Sequence, residues 1–519
     1  MRRVSTSPPV GLAELLAAIS LATDLGRGFP QEKALRTALI AVRMAEELGL
    51  DQQARSDTYF AALIHPLGCT AFTYEGARLV GTNELKGIPA YMRADTERVR
   101  EGLRAMREEV RGEPFGRAAR GVFKGITAGK GFLDYVVRAD CEAGSRFTER
   151  IGLPRSVASV VLQVHERWDG KGLPARLAGE TLETGARVIA VADQVEIFHR
   201  MDGREVTRAM LRRRAGGWFD PQVVEACARR SDDIFAELEA GSVWDAVLAA
   251  EPSPSVTLSE RRIDDLAQAV ADVVDLKSPW FLGHSRGVAE LAEAAASMLG
   301  LEATAIARAG LFHDLGRVGV SNLVWDKPGP LTVAEWEQVR LHAYHTERVL
   351  ARSPVLAPLA QLAGMHHERV DGSGYHRGAT AAAIPIGARV LAAADVFQAL
   401  TEPRPHRSAR SSEEAAQEIE AMVKAGALDT EASRAVCDAA GVSLRRGRVS
   451  APWPGRLTDR EVEVLRLLAR GLTKKEIAKE LVIAPGTAHT HTVHIYEKLG
   501  VSTRAGVALF ALEHGLDRH

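Results

Sequence analysis

The chain has 519 residues, with 66 Lys and Arg against 67 Asp and Glu and a formal net charge of -1; at ~150 residues per domain this length holds roughly three domains. Balanced charge excludes a globally basic nucleic-acid binder, so any nucleic-acid surface is local. Cys69, Cys141, Cys227 and Cys437 are scattered without CxxC pairing, which excludes a disulfide frame and a thiolate zinc site, and with no apolar run near the ~18 residues of a membrane span and no apolar signal core in MRRVSTSPPV, a cytoplasmic protein is expected.

Residues 10–50 are rich in Ala and Leu at helical spacing, and Leu48-Gly49-Leu50 reads as a helix end at a glycine. The stretch Ala61-Ala62-Leu63-Ile64-His65-Pro66-Leu67-Gly68 resembles the later Gly310-Leu311-Phe312-His313-Asp314-Leu315-Gly316. Between them a polar, glycine-dotted insertion runs from about Glu75 to about Gly131, with a solvated helix expected between Met92 and Arg111 and no chemistry assigned.

The repeat becomes firm where His165 to Pro174 aligns without a gap on His367 to His376, and Gly185 to Asp193 falls on Gly387 to Asp395. Internal duplication predicts one helical fold used twice. The first copy has lost candidate ligands: Pro66 stands at the place of Asp314, Val164 at that of His366, and Cys141 near that of His342. His65, His165 and Asp193 are too few for two ions, so a structural or regulatory pseudo-domain is expected.

After a Pro/Ser linker at Glu251 to Ser255 the second copy opens on His284-Ser285-Arg286. His313-Asp314 lies in the apolar segment Ala309 to Val320, where an unpartnered imidazole and carboxylate are costly to bury. Thr332 with Glu335 predicts a capping box for a helix bearing His342 and His345. His366-His367 precede a turn at Asp371-Gly372-Ser373-Gly374 and an apolar run ending in the lone acid Asp395. Imidazoles and carboxylates converging in this way suit Fe, Mn, Zn or a similar divalent ion, with ligands shared between two ions.

A second linker is expected over Leu444 to Arg448 and Pro452-Trp453-Pro454. Beyond it, Thr458 and Glu461 predict a capped helix with Val462, Leu465 and Leu468 on one face, stopped by Gly471. A short helix from Lys474 to Leu481, a turn at Ala484-Pro485-Gly486 and a longer helix from Thr487 to Leu499 give helix-turn-helix spacing.

His284, His313-Asp314, His342, His366-His367, Asp395 and Asp371-Gly372-Ser373-Gly374-Tyr375 together resemble the HD-GYP branch of the HD phosphohydrolases over roughly residues 260 to 410. The resemblance implies an all-helical domain with metal ligands His284, His313, Asp314, His342, His366, His367 and Asp395, hydrolysing a cyclic dinucleotide such as cyclic di-GMP. It puts Asp314 and Arg317 at the catalytic centre, Arg317 standing where the family has lysine, and gives Arg317, Tyr375, Arg404 and Arg407 to substrate. Trp280 stands where three-metal members place a glutamate, which implies two ions, Fe or Mn foremost. The family's proline after Gly-Tyr is His376 here, read as a solvent-facing substitution. The segment from Leu457 to Ala505 resembles the LuxR-type DNA-binding domain, through Glu461, Gly471, Ile477-Ala478, Leu481, Thr487, His491 and Lys498 to Val501. That resemblance implies DNA contacts from Lys474, Lys475, Thr487, His489, Thr490, His491, His494 and Lys498.

The expected fold is mostly all-α: a degenerate HD-type domain at 8–250, an HD-GYP-type domain at 256–440 and a four-helix LuxR-type domain at 454–519. The expected function is a homodimeric transcription regulator, away from membranes, that binds DNA and hydrolyses a cyclic dinucleotide. The alternative is a regulator whose metal domain senses the nucleotide without turning it over.

Overall fold

The computed structural model describes residues 10–70, 73–113, 115–442 and 453–517. Both expected capping boxes form: Thr332 and Glu335 open the helix Val333–Leu350, and Thr458 and Glu461 open Asp459–Ala469, each satisfying two orphan backbone donors. Gly49 closes the helix Lys33–Glu47 at φ 66 and Gly471 closes Asp459–Ala469 at φ 86, a region glycine enters without a Cβ penalty. The last three helices are Lys474–Glu480, Pro485–Leu499 and Arg504–Glu513. The third helix of this domain starts at Pro485, two residues before the expected Thr487, because proline's fixed φ suits the first helical position. Of the expected second linker, residues 444–448 and 452 lie outside the described residues.

The architecture is helical throughout, and among the described residues the one strand pairing joins Val10–Gly11 antiparallel to Thr257–Leu258. That pairing ties together the entrances of the two copies. Their opening helices correspond: Leu12–Gly26, Lys33–Glu47 and Gln52–Gly68 in the first, Glu260–Asp275, His284–Met298 and Ala303–Phe312 in the second. Lys33 and His284 each begin a helix after a left-handed residue, Glu32 at φ 72 and Gly283 at φ 80. Asp24 and Asp275 then accept the backbone N–H of the next residue, Ala34 and Ser285.

Close helix crossings extend the match. A Cβ on Gly316 would lie 2.1 Å from the His342 carbonyl oxygen, and one on Gly68 would lie 2.0 Å from that of Asp140. Asp140, not Cys141, therefore holds the place of His342; Cys141 is one residue on, about 100° around the helix, and is buried elsewhere.

One apolar core runs through both copies and into the C-terminal domain, from Leu39 and Phe60 through Val270 and Ala292 to Leu465 and Leu509. The insertion is a fastener. Its buried Glu84 accepts from Lys277, Ser321 and the Asn322 backbone of the second copy, and Glu75 pairs with Arg504 of the last helix. The helix expected between Met92 and Arg111 spans Val99–Glu109. No described helix is long and apolar enough to cross a membrane.

Candidate metal centre

Seven side chains from five segments meet inside the second copy. His284 opens the helix His284–Met298, His313-Asp314 end Ala303–Phe312, His342 lies inside Val333–Leu350, His366-His367 follow Ala357–Gly364, and Asp395 lies inside Ile386–Thr401. His284, His313, His342 and His366 are fully buried, Asp314 and Asp395 nearly so, and His367 is half-buried.

Asp314 is the hub. Its Oδ2 lies 2.9 Å from His313 Nε2 and 3.6 Å from His284 Nε2, and its Oδ1 lies 3.3 Å from His342 Nε2 and 3.7 Å from His366 Nε2. Asp395 faces it, with Oδ1 3.2 Å from His284 Nε2 and Oδ2 3.5 Å from His367 Nδ1. Three overlapping triads have the reach to hold an ion: His342, His366 and His367; His284, His313 and Asp395; His313, Asp314 and His366. The overlap through His313 and His366 is the arrangement in which two ions share a ligand shell.

The polar atoms themselves fit a cation. Nε2 of His284 and His313 and Oδ1 of Asp314 are buried without a hydrogen bond, a costly state unless something positive lies among them. His342 and His366 bring their Nε2 atoms within 3.1 Å, a separation for two ring nitrogens that suits a common cation between them. Burial pushes His366 down to about 3 and His367 well below the usual imidazole range, leaving neutral rings with lone pairs to donate. Burial works against ionisation of Asp314 and Asp395, but Arg317 and His313 for the first, and His284 and His367 for the second, hold both well below the ordinary carboxylate range.

Around the cluster several expectations need correction. Arg317 does reach it, ion-paired to Asp314 and stacked 3.9 Å over Phe281, with Nε and Nη1 free of hydrogen bonds. Tyr375 also reaches it, its ring 4.3 Å from that of His367. Arg404 and Arg407 do not. Arg404 donates to Glu402 at 2.8 Å and to the Trp280 carbonyl. Arg407 donates to the carbonyls of Ala399, Leu400, Glu402 and Ser408, where it satisfies the orphan acceptors at the end of the helix Ile386–Thr401. His376 is not solvent-facing: it is half-buried against Tyr344 and 3.9 Å from Glu347.

Two acids were missed by the sequence reading. Glu402 Oε2 lies 2.9 Å from His284 Nδ1. Glu368 is buried and accepts the backbone N–H groups of Arg377 and Ala379, bracing the loop that carries Tyr375. Glu166 does the same for Ala175 in the first copy, so its recurrence beside His165 and His367 was the available signal. Glu402 offered none, since it stands between Asp395, read as a ligand, and Arg404 and Arg407, read for their charge.

In the first copy Lys33 occupies the position of His284 and its ammonium bonds Asp193. His65 Nε2 lies 3.7 Å from the same carboxylate. Arg27 is buried close by, with Nε and Nη1 lacking hydrogen bonds.

The C-terminal domain presents a second candidate surface. Thr487, His489, Thr490 and His494 are exposed along Pro485–Leu499, His491 is half-buried, and Lys474 and Lys475 are exposed at the start of the preceding helix. Lys474 Nζ sits 2.7 Å from His489 Nδ1. Lys498 differs from expectation, being drawn to Glu461 of the capping box at 2.6 Å. The last helix is buried against the rest of the chain: Thr503 donates to Glu142 at 2.6 Å, and Arg286, two residues past His284, donates to the Leu512 carbonyl at 2.6 Å.

The HD domain family matches residues 135–223 and 268–432, and the luxR family of bacterial regulatory proteins matches residues 456–511. The 3'3'-cGAMP-specific phosphodiesterase 3 of Vibrio cholerae is 28% identical over 404 residues, covering 77% of this chain and 88% of that protein. A cyclic di-GMP phosphodiesterase of Thermotoga maritima is 38% identical over 144 residues, 27% of this chain and 39% of that protein. The crystal structure of cyclic GMP-AMP specific phosphodiesterases in V. cholerae (V-cGAP3) aligns with a TM-score of 0.59 and 25% identity over 84% of this chain and 99% of that one.

Proposed function

The chain carries an HD domain and ends in a domain of the luxR regulatory family, and from that premise we propose a DNA-binding regulator whose second HD copy is a metal-dependent phosphodiesterase acting on a cyclic dinucleotide. The carrying observation is the convergence of imidazoles on Asp314 and Asp395, with the Nε2 atoms of His284 and His313 buried without hydrogen bonds. On this proposal the chain divides at 8–250, 256–440 and 454–519, the second unit holds two ions, Fe or Mn foremost, and the protein is cytoplasmic and homodimeric on DNA.

His284, His313, Asp314, His342, His366, His367 and Asp395 are the proposed ligands. Divalent ions held there supply Lewis acidity toward a phosphodiester and activate water near neutral pH. The chain contributes the rest. Asp314 bridges the two halves of the cluster and stays ionised beside Arg317. Arg317, fixed by its stack on Phe281 and Trp325, keeps Nε and Nη1 for phosphate oxygens; a planar fork suits that task. Tyr375, whose hydroxyl burial pushes up to about 12, remains a protonated donor at the mouth. At the other end, exposed Thr487, His489, Thr490 and His494 suit a helix entering the major groove, with Lys474 and Lys475 near phosphate.

Full-length chain reconstituted anaerobically with Mn or Fe and supplied with 3'3'-cGAMP or cyclic di-GMP should release the linear dinucleotide, and Asp314→Ala should release none. Nucleotide bound without turnover by the loaded parent would replace this proposal with the sensor alternative; neither binding nor turnover would overturn both.

A further inference from the structure

Each imidazole in the cluster needs something to hold its far nitrogen, because a ring that is free to rotate or to change tautomer presents a proton where a lone pair is needed. Three of them use their own helix. His313 Nδ1 lies 2.6 Å from the Gly310 carbonyl, His366 Nδ1 lies 2.6 Å from that of Ala363, and His342 Nδ1 contacts that of Val339. In every case the acceptor is the carbonyl three residues earlier, and in every case Nε2 is left facing Asp314.

His284 has no such carbonyl. It is the first residue of its helix, and Gly283 before it is left-handed at φ 80, so the chain upstream turns away from the helix axis. We propose that Glu402 is the positioning residue that replaces the missing backbone acceptor, fixing His284 with Nδ1 protonated and Nε2 open toward Asp314 and Asp395. Resting on the metal-centre proposal, this adds to it a residue that touches neither ion nor substrate.

The hydrogen bonds around Glu402 allow one arrangement. Its Oε1 accepts from Gln398 Nε2 at 2.7 Å, and its Oε2 accepts from Arg404 Nη2 at 2.8 Å and faces His284 Nδ1 at 2.9 Å. Arg404 has only donors to offer and Glu402, ionised, only acceptors. Since Oε2 carries no proton, the hydrogen of the third contact is on Nδ1, and the ring's other nitrogen is the one that can bind a cation. Arg404 is itself held by the Trp280 carbonyl and lies over Phe281 at 5.1 Å, so the carboxylate is braced from behind.

The first copy supports the pairing of the two residues. His284 is replaced there by Lys33, and Glu402, seven residues past Asp395, is replaced by Arg200, seven past Asp193. Arg200 reaches Glu196 and the Gln31 carbonyl instead. Where the ring is gone, its acceptor is gone as well. His65, which keeps its ring, also keeps the backbone acceptor, with Nδ1 3.0 Å from the Ala62 carbonyl.

The test is equilibrium binding of Mn to the full-length chain by competition with a chelator, alongside thermal unfolding in EDTA. Glu402→Ala should weaken the Mn affinity ten- to a hundred-fold, the range seen when partners of ligating imidazoles are removed. Glu402→Asp keeps the charge but withdraws the oxygens by one methylene; it should lose affinity in the same direction, and it carries the test where the alanine variant does not fold. Glu402→Gln keeps an acceptor, its amide oxygen, toward His284 and Arg404, with the Gln398 amide able to turn its oxygen toward the new NH2, and should bind Mn within about threefold of the parent. Parental affinity in the alanine and aspartate variants would overturn the inference. So would equal loss in all three variants accompanied by equal loss of metal-free thermal stability, which is the signature of packing alone. A parent that binds no Mn would instead refute the metal centre itself.

Discussion

The two HD copies bury the same carboxylate and neutralise it differently. In the second copy Asp395 and Asp314 sit among imidazoles, two of which, His284 and His313, have Nε2 buried without a hydrogen bond, the arrangement proposed above to take a cation from outside. In the first, Asp193 bonds the ammonium of Lys33, a cation supplied by the chain, with no exposed surface on either side of the pair beyond a few per cent. The contrast teaches that the first copy did not merely lose ligands. Lys33, Pro66, Asp140 and Val164 stand at the places of His284, Asp314, His342 and His366, and together they close the site. A hub carboxylate would be a liability where Lys33 already satisfies Asp193, and proline removes it.

The harshest way to break the comparison is to strip the proposed ligands from one side only. His366→Ala with His367→Ala removes members of two of the three candidate triads, and bound metal, measured on the full-length chain by elemental analysis, should fall to background. His165→Ala, its counterpart, should leave metal content at the parental value. Metal retained in the double variant, or lost in the single one, would place the ions in the wrong copy.

The next test strips the internal cation. Lys33→Met takes from buried Asp193 its bonded cation, leaving His65 at 3.7 Å and Arg27 nearby, and breaking a buried pair from one side costs up to about 3–5 kcal/mol. The loss should be visible in urea unfolding in EDTA as well as with metal present, because no ion is involved. Adding Asp193→Asn should recover most of it, since an unpaired charge no longer remains. A double variant as unstable as the single one would mean that Lys33 contributes through packing, and the idea of a chain-supplied cation would fail.

Much of this was legible in the sequence, and what was not has a common cause. Capping boxes at Thr332 and Thr458, the glycine stops and the repeat from His165 to Asp193 are local or fixed in register, so spacing reveals them. The seven groups of the second site were legible because each lies in a recognisable local pattern. Lys33 was not, because the two copies differ in spacing between this helix and the next histidine: Lys33 to His65 is 32 positions whereas His284 to His313 is 29, and the Ala-rich helix offers no landmark. Arg404 and Arg407 were assigned to substrate on charge alone, whereas long cationic side chains near a helix end are drawn to its carbonyls and to any buried acid. Contacts across domains, such as Glu84 with Ser321 or Arg286 with the Leu512 carbonyl, carry no sequence signal at all.

The mildest perturbation sharpens the comparison at a single position. Asp140 stands where the second copy has His342, and burial pushes its carboxyl up to about 8, only partly opposed by Arg27. An acid with a raised folded pKa stabilises the fold below its unfolded value, near 4, and that contribution is lost as pH rises through the folded value. The chain should therefore lose stability from this group between about pH 4 and pH 8, with a slope of at most about 1.4 kcal/mol per pH unit. Asp24 and Asp275 are pushed up to about 7 in the two copies alike, so their drift is common to parent and variant and drops out of the difference. Asp140→Asn keeps the shape and cannot ionise. Measured in EDTA, its urea midpoint should coincide with the parent's near pH 4 and exceed it increasingly toward pH 8. A difference independent of pH would show that Asp140 is ionised throughout, with the Arg27 guanidinium as its fixed counterion, a second cation supplied by the chain beside that of Lys33 on Asp193.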